Sequence, residues 1–109
     1  MSTVQSTVDA GICGFVTGIS AESEDQQMVT FRIESPCANI QHLAGLLGTV
    51  DAYAELGAGF DGEVHSAARQ SLKGCCSGCV VPVSIFKAMQ VAARVALPKD
   101  VSIVFRLEG

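Results

Sequence analysis

The sequence predicts a two-layer α+β domain, a three-stranded antiparallel sheet covered by about three helices in the chain order β-β-α-α-α-β. Two patterns carry this prediction. Apolar residues alternate with polar ones toward both ends of the chain, whereas in the middle they recur at helical spacing. The size agrees. With 109 residues, 49% of them apolar and 17% charged, the chain suits one packed domain over residues 1–109 and leaves no room for a second. Residues 1–8 read as a loose N-terminal arm.

Gly11 to Ala21 reads as the first strand, with Cys13, Phe15, Thr17 and Ile19 on one face. The polar run Glu22 to Gln27 suits a hairpin loop. Val29, Phe31 and Ile33 alternate with Thr30, Arg32 and Glu34 as the second strand. Ser35 and Pro36 resemble a helix cap followed by proline at the first helical position. Ile40, Leu43, Ala44 and Leu47 then form an apolar stripe that Gly48 stops. Thr49 to Gly62 is glycine-rich and reads as loop with at most one short element. Val64, Ala67, Ala68, Ser71 and Leu72 mark a second helix ended by Gly74. Pro82 opens a third, with Ile85, Met89, Ala92 and Ala96 inward, and Pro98 closes it. Val101, Ile103, Phe105 and Leu107 alternate as the last strand.

Several function classes are disfavoured. The net charge is -4, and the seven Lys and Arg (Arg32, Arg69, Lys73, Lys87, Arg94, Lys99 and Arg106) form no run. A nucleic-acid partner would call for a basic stripe against the phosphates. No secretory signal opens the chain, and no apolar stretch approaches bilayer length, so a cytoplasmic protein without a membrane partner is expected. High apolar content with few charges fits a homo-oligomer or a protein partner. The chain contains no G-x-S-x-G, H-E-x-x-H or P-loop, and nothing in it indicates an enzyme. Gly57 to Gly62 matches G-x-G-x-x-G. No acidic residue lies between Glu63 and Asp100 to hold a ribose, so this stretch reads as a flexible loop. His42 and His65 each read as a solvated or hydrogen-bonded flank residue before a ligand or base.

The distinctive chemistry lies in five cysteines: Cys13, Cys37, Cys75, Cys76 and Cys79. In a reducing compartment, clustered thiols lean toward metal or redox work instead of structural disulfides. Cys75, Cys76 and Cys79 fall between Gly74 and Val80, with Gly78 inside the run to let the backbone wrap an ion. Cys76 to Cys79 is one C-x-x-C, half of a zinc-ribbon arrangement. The other ligands would come from Cys13 and Cys37, with Cys75 as substitute. Four thiolates would suit zinc or an iron–sulfur cluster. Two alternatives stand beside this: a thiol redox protein using Cys76 and Cys79, and a structural or interaction domain whose cysteines are small buried hydrophobes.

Topology bears on whether the thiols meet. An antiparallel first hairpin brings the start of strand one beside the end of strand two, hence Cys13 beside Cys37. If the last strand pairs with strand one, giving the sheet order 2-1-3, Cys79 joins them. Helix starts at Cys37 and just after Cys79 would favour thiolate.

Cys13-Gly14-Phe15, Ser35-Pro36-Cys37, Cys79-Val-Val-Pro82 and Ala96-Leu-Pro-Lys-Asp-Val101 together resemble a family of small uncharacterised prokaryotic proteins with a domain of unknown function. The resemblance runs from about Gly11 to Ile103. It implies a shared cysteine site at Cys13, Cys37 and Cys79, and implies no activity.

Overall fold

The computed structural model describes residues 1–109. Its sheet has four antiparallel strands in the order β1-β2-β3-β4. They are β1 (Ser2–Asp9), β2 (Val16–Ser23), β3 (Met28–Glu34) and β4 (Thr49–Asp51). The four α-helices are α1 (Ala38–Leu46), α2 (Ala52–Ala58), α3 (Glu63–Ser71) and α4 (Val81–Ala92). A 3-10 turn at Gly59–Asp61 follows α2, and another at Gly74–Gly78 precedes α4. The chain order is thus β-β-β-α-β-α-α-α. This corrects the predicted three-stranded sheet of order 2-1-3.

The expected N-terminal arm is strand β1. Its inward positions Ser2, Val4, Ser6 and Val8 are buried or half-buried, while Thr3, Gln5, Thr7 and Asp9 are exposed. The period of two is present, but with only two valines on the covered side hydropathy alone does not reveal it. β-branched Thr3, Val4, Thr7 and Val8 suit the pleated backbone. β1 pairs with β2 from Ser2 opposite Ser23 to Asp9 opposite Val16. The predicted first strand therefore starts later than expected, at Val16, because Gly11 and Gly14 at φ 87° and 75° turn the chain between β1 and β2.

The loop between β2 and β3 is shorter than expected, since Glu22 and Ser23 remain in the strand. Asp25 Oδ1 accepts from the backbone N–H groups of Gln27 and Met28 at 3.0 and 2.9 Å. β3 continues the sheet, with Gly18 opposite Glu34. Within the glycine-rich stretch read as loop, Thr49–Asp51 adds the short β4 and Asp51 caps α2. The G-x-G-x-x-G stretch forms the end of α2 and the 3-10 turn, beside a wholly antiparallel sheet.

The helices cover one face. α4 packs on β1 and β2, and α1 packs on β3 and α3. Ile19 and Ala21 of β2, Val29 of β3, Ile40 and Leu43 of α1, Val64 of α3, and Ile85 and Met89 of α4 are buried together in the core. The run Gly74–Ala92, with hydropathy 1.5, is long and apolar enough by composition to cross a membrane, contrary to the expectation from sequence. It is a 3-10 turn followed by the 12-residue α4. At 1.5 Å per residue α4 is about 18 Å long, short of a ~30 Å hydrocarbon core.

α4 ends at Ala92 and does not continue to Pro98. Arg94 takes the left-handed φ of 62°, and its Nε donates to Ser2 Oγ at 3.0 Å. That contact fixes the direction of α4: its C-terminal end lies at the start of β1, so its N-terminal end lies near the β1–β2 loop. The predicted last strand is absent. Val101, Ile103, Phe105 and Leu107 have no partner strand and are exposed.

Candidate functional site: a thiol cluster at one end of the sheet

Three segments bring cysteines to the end of the sheet where β1 finishes and β2 begins. The first is the β1–β2 loop. Gly11 N–H donates to Asp9 Oδ1 at 2.9 Å, Gly14 N–H to the Gly11 carbonyl at 2.9 Å, and Ala10 N–H to the Phe15 carbonyl at 3.1 Å. These bonds close a tight loop that carries Cys13, exposed, instead of burying it on a strand face as predicted.

The second segment is the link from β3 to α1. Cys37 itself, rather than Ser35, occupies the cap position, with φ -77° and ψ 122°. Its carbonyl accepts from Gln41 N–H at 3.0 Å. Ser35 still shapes this corner: its Oγ accepts from the Cys37 N–H at 3.2 Å and from buried Thr17 Oγ1 at 2.8 Å. The Thr17 bond ties Cys37 to β2, the strand that follows the Cys13 loop. Neither Thr17 nor Ser35 stands out as part of a site in the sequence, since each also suits a plain strand or cap.

The third segment is the 3-10 turn ahead of α4. Cys76 N–H donates to the Lys73 carbonyl and Cys79 N–H to the Cys76 carbonyl, both at 3.1 Å. Cys76 and Cys79 are half-buried against the core, and Cys75 is exposed. Asn39 Nδ2, in the first turn of α1, donates to the Cys76 sulfur at 3.5 Å. Asn39 carries no sequence signal, because an amide on an exposed helix turn is ordinary.

Electrostatics marks how close the thiols stand. Burial pushes the Cys79 thiol above its ordinary value. Like charge on Cys13, Cys37 and Cys76 pushes it the same way, while a hydrogen bond from the Val81 N–H opposes the rise. Cys13, Cys37 and Cys76 are therefore each within electrostatic reach of Cys79. The helix start does not favour the Cys79 thiolate as expected, because desolvation outweighs the local N–H.

The thiols are free and no disulfide joins them. No three His, Cys, Asp or Glu side chains are drawn together into a metal-holding group as they stand. Both histidines are engaged in packing. His42 Nδ1 pairs with Ser71 Oγ at 2.8 Å, linking α1 to α3. His65 stacks on Phe86 and meets Phe60 at a tilt, with ring centroids 5.3 and 4.7 Å away.

No curated protein and no solved structure matches the chain. The sequence model of a family of unknown function, DUF6951, matches residues 4–105, which takes in most of β1, all five cysteines and most of the C-terminal segment. The chain belongs to that family.

Proposed function

We propose that the protein binds a metal ion or an iron–sulfur cluster through Cys13, Cys37, Cys76 and Cys79. The observation that carries this reading is the gathering of thiols from three separate segments around Cys79. Buried-hydrophobe behaviour does not account for it, since Cys13 is exposed and the others are only half-buried. Burial and the like charge of its three neighbours disfavour the Cys79 thiolate, and a bound cation would offset that penalty. All-sulfur donor sets suit zinc and iron–sulfur clusters.

The donor chemistry fits, although no three of the sulfurs stand together as a metal-holding group. Cys13 is exposed on the β1–β2 loop, so its sulfur would have to move inward to join the set. Cys75, exposed beside Cys76, is a substitute ligand. The raised Cys79 thiol holds back the thiolate that a metal ligand and a redox nucleophile both require, and a bound cation would offset that rise.

The test is elemental analysis and an absorption spectrum on protein purified without oxygen, with accessible thiols counted in the same sample. Zinc or iron in stoichiometric amount, lost in Cys79→Ser and Cys37→Ser but kept in Cys75→Ser, supports the proposal. Absence of metal with all five thiols titrating freely overturns it. A reversible two-thiol change without metal would instead identify a redox pair.

A further inference from the structure

We propose that two copies of the chain exchange their C-terminal segments, residues 101–107 of one copy pairing along the free edge of β1 in the other. Every residue from Arg94 to Gly109 is exposed. From Asp100 onward, no backbone N–H makes a backbone hydrogen bond. Yet the segment is built like a strand. Val101 and Ile103 are 61% exposed, and Val104, Phe105 and Leu107 are 88–97% exposed. A single copy leaves these five large apolar side chains in water, where they add nothing to folding and favour association. The family match runs to residue 105, so most of this segment belongs to the domain the family shares.

The recipient edge is β1. It is eight residues long and paired on one side only, by β2, while the opposite edge strand β4 has three residues. A long unpaired edge is a template for strand addition. The inward side of β1 is also underfilled: Ser2, Val4 and Ser6 are only half-buried, whereas Ile19 and Ala21 on β2 are buried. A neighbouring strand with Val101, Ile103, Phe105 and Leu107 on that side would complete the covered face and send Ser102, Val104 and Arg106 outward.

The exit point favours a second copy over the chain's own sheet. The segment departs beside the start of β1, where Arg94 bonds Ser2. Lying back along its own β1, it would run in the same direction as that strand, a parallel pair in an otherwise antiparallel sheet. A second copy related by a two-fold axis can present β1 in the opposite direction, and the exchange then closes on itself. The left-handed backbone at Arg94 and the stiff Pro98 mark the hinge.

The test is the mass of the reduced full chain in solution by light scattering and sedimentation equilibrium, for the wild type and for Ile103→Lys with Phe105→Lys. Both side chains are exposed in one copy, so the double variant keeps its helical circular dichroism. A dimeric wild type and a monomeric double variant are expected. In a mixed sample of differently labelled chains, intermolecular NOEs should join the Ile103 and Phe105 side chains of one copy to Val4 of the other. A wild type that stays monomeric, a dimer unaffected by the double substitution, or NOEs confined to one chain would each overturn the proposal.

Discussion

Asn39 and Cys76 are joined by a hydrogen bond from the amide Nδ2 to the sulfur at 3.5 Å, which ties the first turn of α1 to the 3-10 turn ahead of α4. The two segments are 37 residues apart, and each carries cysteines of the proposed site. Asn39→Leu keeps the side-chain size and removes the donor. A weak neutral hydrogen bond of about 0.5 kcal/mol corresponds to a two- to threefold effect. The urea unfolding midpoint should fall by an amount worth about 0.5 kcal/mol. An unchanged midpoint would show that the bond does not hold the turn.

Cys79 gives a direct probe of thiol convergence that does not depend on metal. Burial is the largest cause of its raised value, and the charges of Cys13, Cys37 and Cys76 add to it. Alkylation of Cys79 in the metal-free protein should therefore need a higher pH than an ordinary thiol requires. Cys13→Ser and Cys37→Ser should each move that profile partway down, and burial should keep it above the ordinary value even when both are replaced. A profile that ignores both substitutions would mean that these thiols do not share a site.

The antiparallel pairing of β2 with β3 is legible from sequence, and it puts the segments that carry Cys13 and Cys37 at one end of the sheet. Cys79 arrives by a different route from the one expected. No C-terminal strand returns it; α4 runs against β1, pinned at its far end by Arg94 and Ser2, and so starts near the thiols. Alternation over Val101–Leu107 is a real pattern, but pattern alone does not make a strand where no partner supplies hydrogen bonds. The opposite error hid β1, whose serines and threonines satisfy the ladder without a hydrophobic signal. β4 and α2 were obscured by glycines, and Asp51, which caps α2, is the local cue that marked them.

Glu55 is a buried carboxylate whose partners are all backbone. Its Oε2 accepts from the Glu63 N–H and its Oε1 from the Val64 N–H, both at 2.8 Å, so a residue on α2 caps α3. Glu55→Ala leaves two N–H groups of that helix start without their acceptor, at about 1–3 kcal/mol each if buried. Glu55→Gln keeps one acceptor oxygen and should cost less. Gly62→Ala probes the same corner, because a Cβ there would stand 2.8 Å from Glu55 Oε2. Urea unfolding should rank Glu55→Ala as more damaging than Glu55→Gln, with Gly62→Ala also destabilising. Equal stability of Glu55→Ala and the wild type would remove Glu55 as the cap.

Acid should weaken the fold through Asp25 and Asp51. Backbone N–H groups of Met28 and Gln27 hold the Asp25 carboxylate below the usual range. The Gln27 side chain, then the Ala54 N–H, do the same for Asp51. Both groups have depressed values in the folded state. Their stabilisation is therefore complete above the ordinary aspartate value of 3.8 and is lost as pH falls through the lower folded values. The urea midpoint should decline over that acid window and stay level, as far as these two groups act, above it. Asp51→Asn tests the assignment, because asparagine still caps a helix start but does not titrate. It should flatten part of the acid decline with little loss near neutrality, while Asp51→Ala should lose stability at both ends. If Asp51→Asn leaves the acid decline as steep as in the wild type, the pH dependence belongs to other carboxylates.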